Sequence, residues 1–164
     1  MPLRRRSGAA RRQGEEWGAS WAYSTLPAIS GNTTESGGTA TFTVVLTAQP
    51  SANVTIALSS SDTSEGTVGP ANLTFTNGNW NVPQTVTVTG VDDFLVDGTV
   101  AYTVVTGTTS SSDLVFDNLA VADVAVSTTD DDVAGITIAE AGGSTSVNES
   151  GTTDTFTAVL TAQP

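Results

Sequence analysis

The sequence predicts an all-β protein, and three observations predict it. Apolar residues recur at every second position in short runs rich in Val and Thr, clusters of Gly, Asn, Pro and Ser separate the runs, and no segment shows helical periodicity. Side chains on a strand alternate between its two faces, so a run that interleaves threonine with Val, Phe or Leu buries one face and wets the other.

Taken in order, a short first strand ends near Thr34, and a second, 39–48, points Ala40, Phe42, Val44 and Leu46 inward. The third, 53–59, buries Val54, Ile56 and Leu58; the fourth, 72–76, buries Leu73 and Phe75; the fifth, 84–90, buries Val86 and Val88. The sixth, 100–106, turns Val100, Tyr102 and Val104 inward, and the seventh, 120–128, does so with Ala122, Val124 and Val126. Seven antiparallel strands in about 100 residues fit an immunoglobulin-like two-sheet sandwich, large enough to bury a core without disulfides. Trp80, between two strands in Asn77-Gly78-Asn79-Trp80-Asn81, reads as a plug for an open end of the sandwich rather than an exposed platform for sugar.

An internal repeat sets the domain boundaries. Residues 35–50, ESGGTATFTVVLTAQP, and residues 149–164, ESGTTDTFTAVLTAQP, are identical at 13 of 16 positions with a spacing of 114 residues. That period is about the length of one sandwich domain. The expected division is a basic, disordered segment over 1–22, a complete sandwich over 23–132 and the truncated start of a second repeat over 133–164.

Composition removes whole classes of function. The 164 residues hold no cysteine and no histidine, which excludes disulfide frameworks, Cys nucleophiles and His general bases. All five basic residues (Arg4, Arg5, Arg6, Arg11, Arg12) lie in the first twelve positions, so residues 13–164 carry all 17 acids and a formal charge of −17. Such a body repels nucleic acid and anionic lipid and attracts cations. No apolar stretch approaches the roughly 18 residues a membrane-spanning helix needs. The N-terminus has the charge of a signal peptide but no apolar run behind it, so export is expected to be signalled elsewhere.

The acids fall unevenly. Strands that alternate in direction deliver Glu35, Asp62, Glu65, Asp92, Asp93, Asp97, Asp130, Asp131 and Asp132 to one pole of the sandwich, and only Asp113 and Asp117 to the other. Crowded like charges raise one another's pKa and oppose folding unless a counter-charge intervenes. With no base within reach, the doublet Asp92-Asp93 and the triplet Asp130-Asp131-Asp132 point to a metal ion. Calcium is the expected metal, because every available ligand is a hard oxygen and a cage built from several loops suits its flexible coordination. An EF-hand does not fit: Asp93, Asp97 and Gly98 match loop positions, but Leu95 and Val104 stand where ligands are needed.

Thr34-Glu35-Ser36-Gly37-Gly38 before TATFTVVLT, Val91-Asp92-Asp93 followed by Asp97-Gly98 and Tyr102, and the closing Asp130-Asp131-Asp132 resemble the Calx-beta domain, in its threonine-rich form found in tandem in large bacterial surface proteins. The likeness covers 33–132 and restarts in 133–164. It implies a seven-stranded sandwich that binds calcium at one end, with ligand roles for Glu35, Asp92, Asp93, Asp97 and the triplet Asp130, Asp131 and Asp132. Asp62 stands where an aspartate of the loop after the third strand is expected. Val100 departs from the pattern, where the family tends to have a second acid.

The expected function is therefore structural rather than enzymatic: a calcium-binding module of an extracellular or cell-surface protein, stiffening its junctions with neighbouring repeats and available to cell-surface or matrix ligands. The competing readings are a metal-independent spacer, a module that itself holds glycan or protein, and an accessory domain of a secreted hydrolase.

Overall fold

A computed structural model describes residues 29–143 and 145–164. The basic segment 1–22, and residues 23–28 of the expected sandwich, lie outside the described residues.

Two facing sheets and a separate two-stranded hairpin form from the alternating runs. In chain order the strands are β1 (Thr33–Thr34), β2 (Thr39–Val44), β3 (Val54–Ser60), β4 (Gly66–Gly69), β5 (Asn72–Phe75), β6 (Gln84–Gly90), β7 (Thr99–Thr106), β8 (Ser110–Ser111), β9 (Val124–Thr129), β10 (Ile136–Glu140) and β11 (Phe156–Leu160). One sheet has the order β1-β9-β7-β3-β5, with β8 also on β3; the other is β2-β6-β4. Phe42, Val44, Val86 and Val88 of the smaller sheet share one buried cluster with Val54, Ile56, Phe75, Val104 and Val126 of the larger, so the two sheets face each other across a single core. The fold is an all-β sandwich.

Cross-strand pairs explain the threonine pattern. Between β2 and β6 the register sets Phe42 opposite Val86 and Ala40 opposite Val88 on the core side, with Thr41 opposite Thr87 on the other. Trp80 is half-buried and packs against the core cluster.

The strand expectations need four corrections. Strand β4 was not expected: Gly66 and Gly69 at its ends disguise a run that pairs Val68 with Val88, and the chain then crosses to the other sheet to form β5. The two-residue β8 is likewise additional. β1 runs parallel to β9, Thr33 beside Thr128, so the sandwich is not wholly antiparallel. The seventh strand begins at Val124 rather than 120, leaving Ala122 exposed and Val121 buried. Just ahead of it the Asp123 carboxylate accepts the Thr106 N–H (2.8 Å), and the Thr106 hydroxyl bonds Val121 O (2.9 Å), which bends the chain before pairing starts.

After Asp132, β10 and β11 pair as an antiparallel hairpin, and among the described residues neither pairs with a strand of the sandwich. The repeat is visible in its backbone. Gly151, at the position matching Gly37, has φ 87° against 84°, and Gly151 N–H bonds Asn148 O as Gly37 N–H bonds Thr34 O.

Candidate metal centre

The acid-rich pole is assembled by turns that only certain residues allow. Gly37, in the left-handed region, closes the turn between β1 and β2 by donating to Glu35 O (2.7 Å), while the Glu35 N–H donates to Thr129 O (3.1 Å) at the end of β9. Glu35 thus leaves β1 directly beside Asp130. Gly90 ends β6 against β1, where a Cβ would overlap the Thr34 carbonyl, so only glycine lets Val91-Asp92-Asp93 begin next to Glu35. The Val91 N–H in turn donates to Glu65 O (3.0 Å).

Beneath these loops lies a buried hydroxyl network. Thr33 Oγ1 is 2.8 Å from Thr128 Oγ1 and 3.2 Å from Tyr102 Oη, and Thr128 Oγ1 donates to Glu65 O (3.0 Å). Gly66 leaves room for the Tyr102 hydroxyl, which an added Cβ would strike. Three strands and the Glu65 loop are thereby locked together under the carboxylates.

Above the network, carboxylate oxygens of Glu35, Asp93 and Asp132 lie within 4.8 Å of one another. Oxygens at about 2.3–2.6 Å from one calcium ion stand up to about 5 Å apart, so the three can share an ion. Glu35 is 1% exposed and Glu65 6%. Among the described residues, three side-chain oxygens, Glu35 Oε2, Glu65 Oε2 and Asp132 Oδ2, are buried with no hydrogen-bond partner, and all three belong to this pole. Acceptor-only groups left this way are costly unless a proton or a cation meets them.

The electrostatics follow. Burial, reinforced by the charges of Asp130, Asp93 and Asp97, pushes the Glu35 carboxyl up to about 7. Burial and then the charge of Asp97, with smaller contributions from Asp62, Asp93 and Asp130, raises Glu65. Asp132 is raised by burial and by Asp130, Asp92, Asp131 and Asp93. Asp130 moves the other way, because its carboxylate accepts the Gly98 N–H (2.8 Å) and the Asp132 N–H (2.7 Å).

Of the residues expected as ligands, Glu35, Asp93 and Asp132 converge. Asp130 ties Gly98 to the triplet, and Asp92, Asp97 and Asp131 form an exposed acidic rim. Asp62 is occupied in its own turn: Oδ1 accepts the Ser64 N–H (3.1 Å) and hydroxyl (2.5 Å), which holds its pKa below the usual carboxylate range. Glu65 was not among the expected ligands, yet it is more deeply buried than any aspartate of the pole. Its signal in the sequence is a lone acid before Gly66, at the start of a strand that alternation does not reveal. At the far pole Asp113 accepts the Ser51 N–H and hydroxyl (both 2.8 Å), and Asp117 accepts the Ser111 N–H (3.0 Å). A cavity of about 300 Å³ bounded by Ile29, Asn32, Tyr102, Thr103, Ala125 and Ser127 contains no carboxylate.

No family model matches the sequence, and neither does any curated protein. Among solved structures the chain is similar to SSP-19, an MSP-domain protein like family member of Caenorhabditis elegans, at 13% identity and a TM-score of 0.40, covering 61% of this chain and 92% of that one. It is also similar to WR4, a C. elegans MSP family member, at 9% identity and a TM-score of 0.39, covering 65% and 98%.

Proposed function

We propose that this chain is a calcium-binding, non-enzymatic repeat, an immunoglobulin-like sandwich of the Calx-beta kind belonging to a secreted or cell-surface protein with several such units. The observation that carries this reading is the set of three buried, unpartnered carboxylate oxygens on Glu35, Glu65 and Asp132. Residues 13–164 contain no Lys or Arg to neutralise them, and the counter-charge assigned here is a cation from solution. Hard oxygen ligands drawn from three separate loops suit calcium, whereas magnesium demands a stricter octahedron and sheds water reluctantly. The carboxylates stand on turns, and the neighbouring cavity offers none, which supports a structural role over hydrolysis.

Titration calorimetry with calcium and with magnesium, alongside melting curves in chelator and in millimolar calcium, tests the proposal. A ligand bound only by the folded state stabilises it by about 2.7 kcal/mol at a hundredfold excess over Kd. Calcium is expected to raise the midpoint more than magnesium. Superimposable curves and no heat of binding would overturn the assignment. They would favour a metal-free spacer in which a protonated Glu35 bonds Asp130, the arrangement suggested by the carboxyl near 7.

A further inference from the structure

We infer that the calcium pole of one repeat is the docking surface for the Thr-Ala-Gln-Pro turn of the repeat that follows it. This rests on the calcium reading above and names the partner of the same site. Between Asp93 and Asp97 the loop carries three apolar residues in succession, Phe94, Leu95 and Val96, which are 61%, 42% and 50% exposed. A run of apolar side chains held outward between acidic residues marks a contact surface rather than a core. The loop is fixed at both ends, by the Leu95 N–H on Asp93 Oδ1 (2.7 Å) and the Gly98 N–H on Asp130 Oδ2 (2.8 Å).

The second repeat already touches this loop. The Gln163 N–H donates to Phe94 O (2.6 Å), and Leu95 and Gln163 form a parallel β-bridge. The chain leaving Asp132 joins the same turn: the Thr161 N–H donates to Gly135 O (3.0 Å), and the Thr161 hydroxyl to Val133 O (2.5 Å). A closed circuit results, from Asp132 through Val133, Thr161 and Gln163 to Phe94 and Asp93. Its two ends are carboxylates that approach one another at the candidate ion site. An ion holding Asp93 and Asp132 together therefore fixes both points on which the next repeat rests.

The repeat generalises the contact. Thr161-Ala162-Gln163-Pro164 is identical to Thr47-Ala48-Gln49-Pro50. In the first repeat that turn, with Thr47, Ala48 and Gln49 exposed, lies at the pole away from the acids, next to Ser51 and its partner Asp113. Stacking an acid-rich pole on an acid-poor one avoids like-charge contact, so the units follow head to tail with one ion site at each junction.

The test uses the full chain and calcium alone. Exchange of the Thr161 and Gln163 amides, followed by NMR, is expected to slow by about tenfold on adding calcium. Gln163→Pro removes the donor at the end of the chain, where the sandwich core is untouched; it should abolish the slowing at Thr161 and weaken calcium binding by no more than the same roughly tenfold factor, and Gln163→Ala, which keeps the N–H, should behave as the parent. Calcium binding with unchanged exchange overturns the docking surface and leaves the calcium reading intact. Absence of binding heat overturns both.

Discussion

The acid pole is decided by what individual carboxylates can reach. Asp130 and Asp62 find backbone N–H groups and keep their charge easily; Glu35 and Glu65 are buried without that help. Because the folded-state pKa of Glu35 is raised, the folded chain binds more protons than the unfolded one as pH rises from 4.5 to about 7, so stability falls across that window. The depressed aspartates act in the opposite sense, but only below their ordinary value of 3.8. In chelator the melting midpoint should therefore drop between about pH 4.5 and pH 7, and calcium should offset the drop, since a ligand must be deprotonated to bind. Glu35→Gln removes the buried charge at constant size, and at about pH 8 in chelator it should melt roughly 5 °C higher than the parent while losing most of the gain from calcium. Parallel pH curves for parent and variant would show that Glu35 is not the titrating group. Glu35, Asp93 and Asp132 are legible in the sequence because each follows or precedes a strand whose direction is countable. The same count places Glu65 at this pole but does not reveal its burial: the Thr128 hydroxyl that holds the Glu65 carbonyl comes from a strand 63 residues away, a contact no local pattern marks.

At the level of elements, alternation carries the prediction well and glycine defeats it. Runs such as Phe42-Thr43-Val44 or Val86-Thr87-Val88 name their own buried face, and the structure buries the apolar member of each pair. β4 escaped because its face rests on one residue, Val68, between two glycines, and the parallel pairing of β1 escaped because two residues hold too little pattern to give a direction. Those glycines and Gly90 are nonetheless informative once the sheets are in place. Gly90→Ala would drive a methyl into the Thr34 carbonyl, and overpacking of this kind costs about 1–3 kcal/mol. Urea unfolding should show that loss, and calcium affinity should fall with it because β6 then cannot present Asp93 beside Glu35. Gly78→Ala, with only the Thr76 hydroxyl at 3.8 Å, is the matched control and should unfold close to the parent. Equal midpoints for the two variants would mean that the close approach of β1 and β6 does not set the site.

For the molecule as a whole, the asymmetry of charge is the property that sequence and fold share most directly. A net charge of −12, with every base in the first twelve residues, makes the sandwich self-repelling, and the fold concentrates that repulsion at one end instead of spreading it. The two poles should then answer to different treatments. At the far pole Asp113 works as a local hydrogen-bond acceptor for Ser51 and Val115, a role that holds its pKa low and requires no ion. Asp113→Asn with Asp117→Asn should cost about 1 kcal/mol per lost acceptor, equally in chelator and in calcium. At the acid pole Asp131→Asn with Asp132→Asn removes like charge and one buried, unpartnered oxygen's charge, so it should leave the metal-free chain as stable or more so and remove most of the stabilisation by calcium. The comparison isolates the ion from the fold, because a merely structural role for both pairs predicts matching losses in both conditions. A calcium increment that survives the acid-pole pair and vanishes with the far-pole pair would mean that the ion binds at the Asp113 end and that the Glu35, Asp93 and Asp132 cluster is not its site.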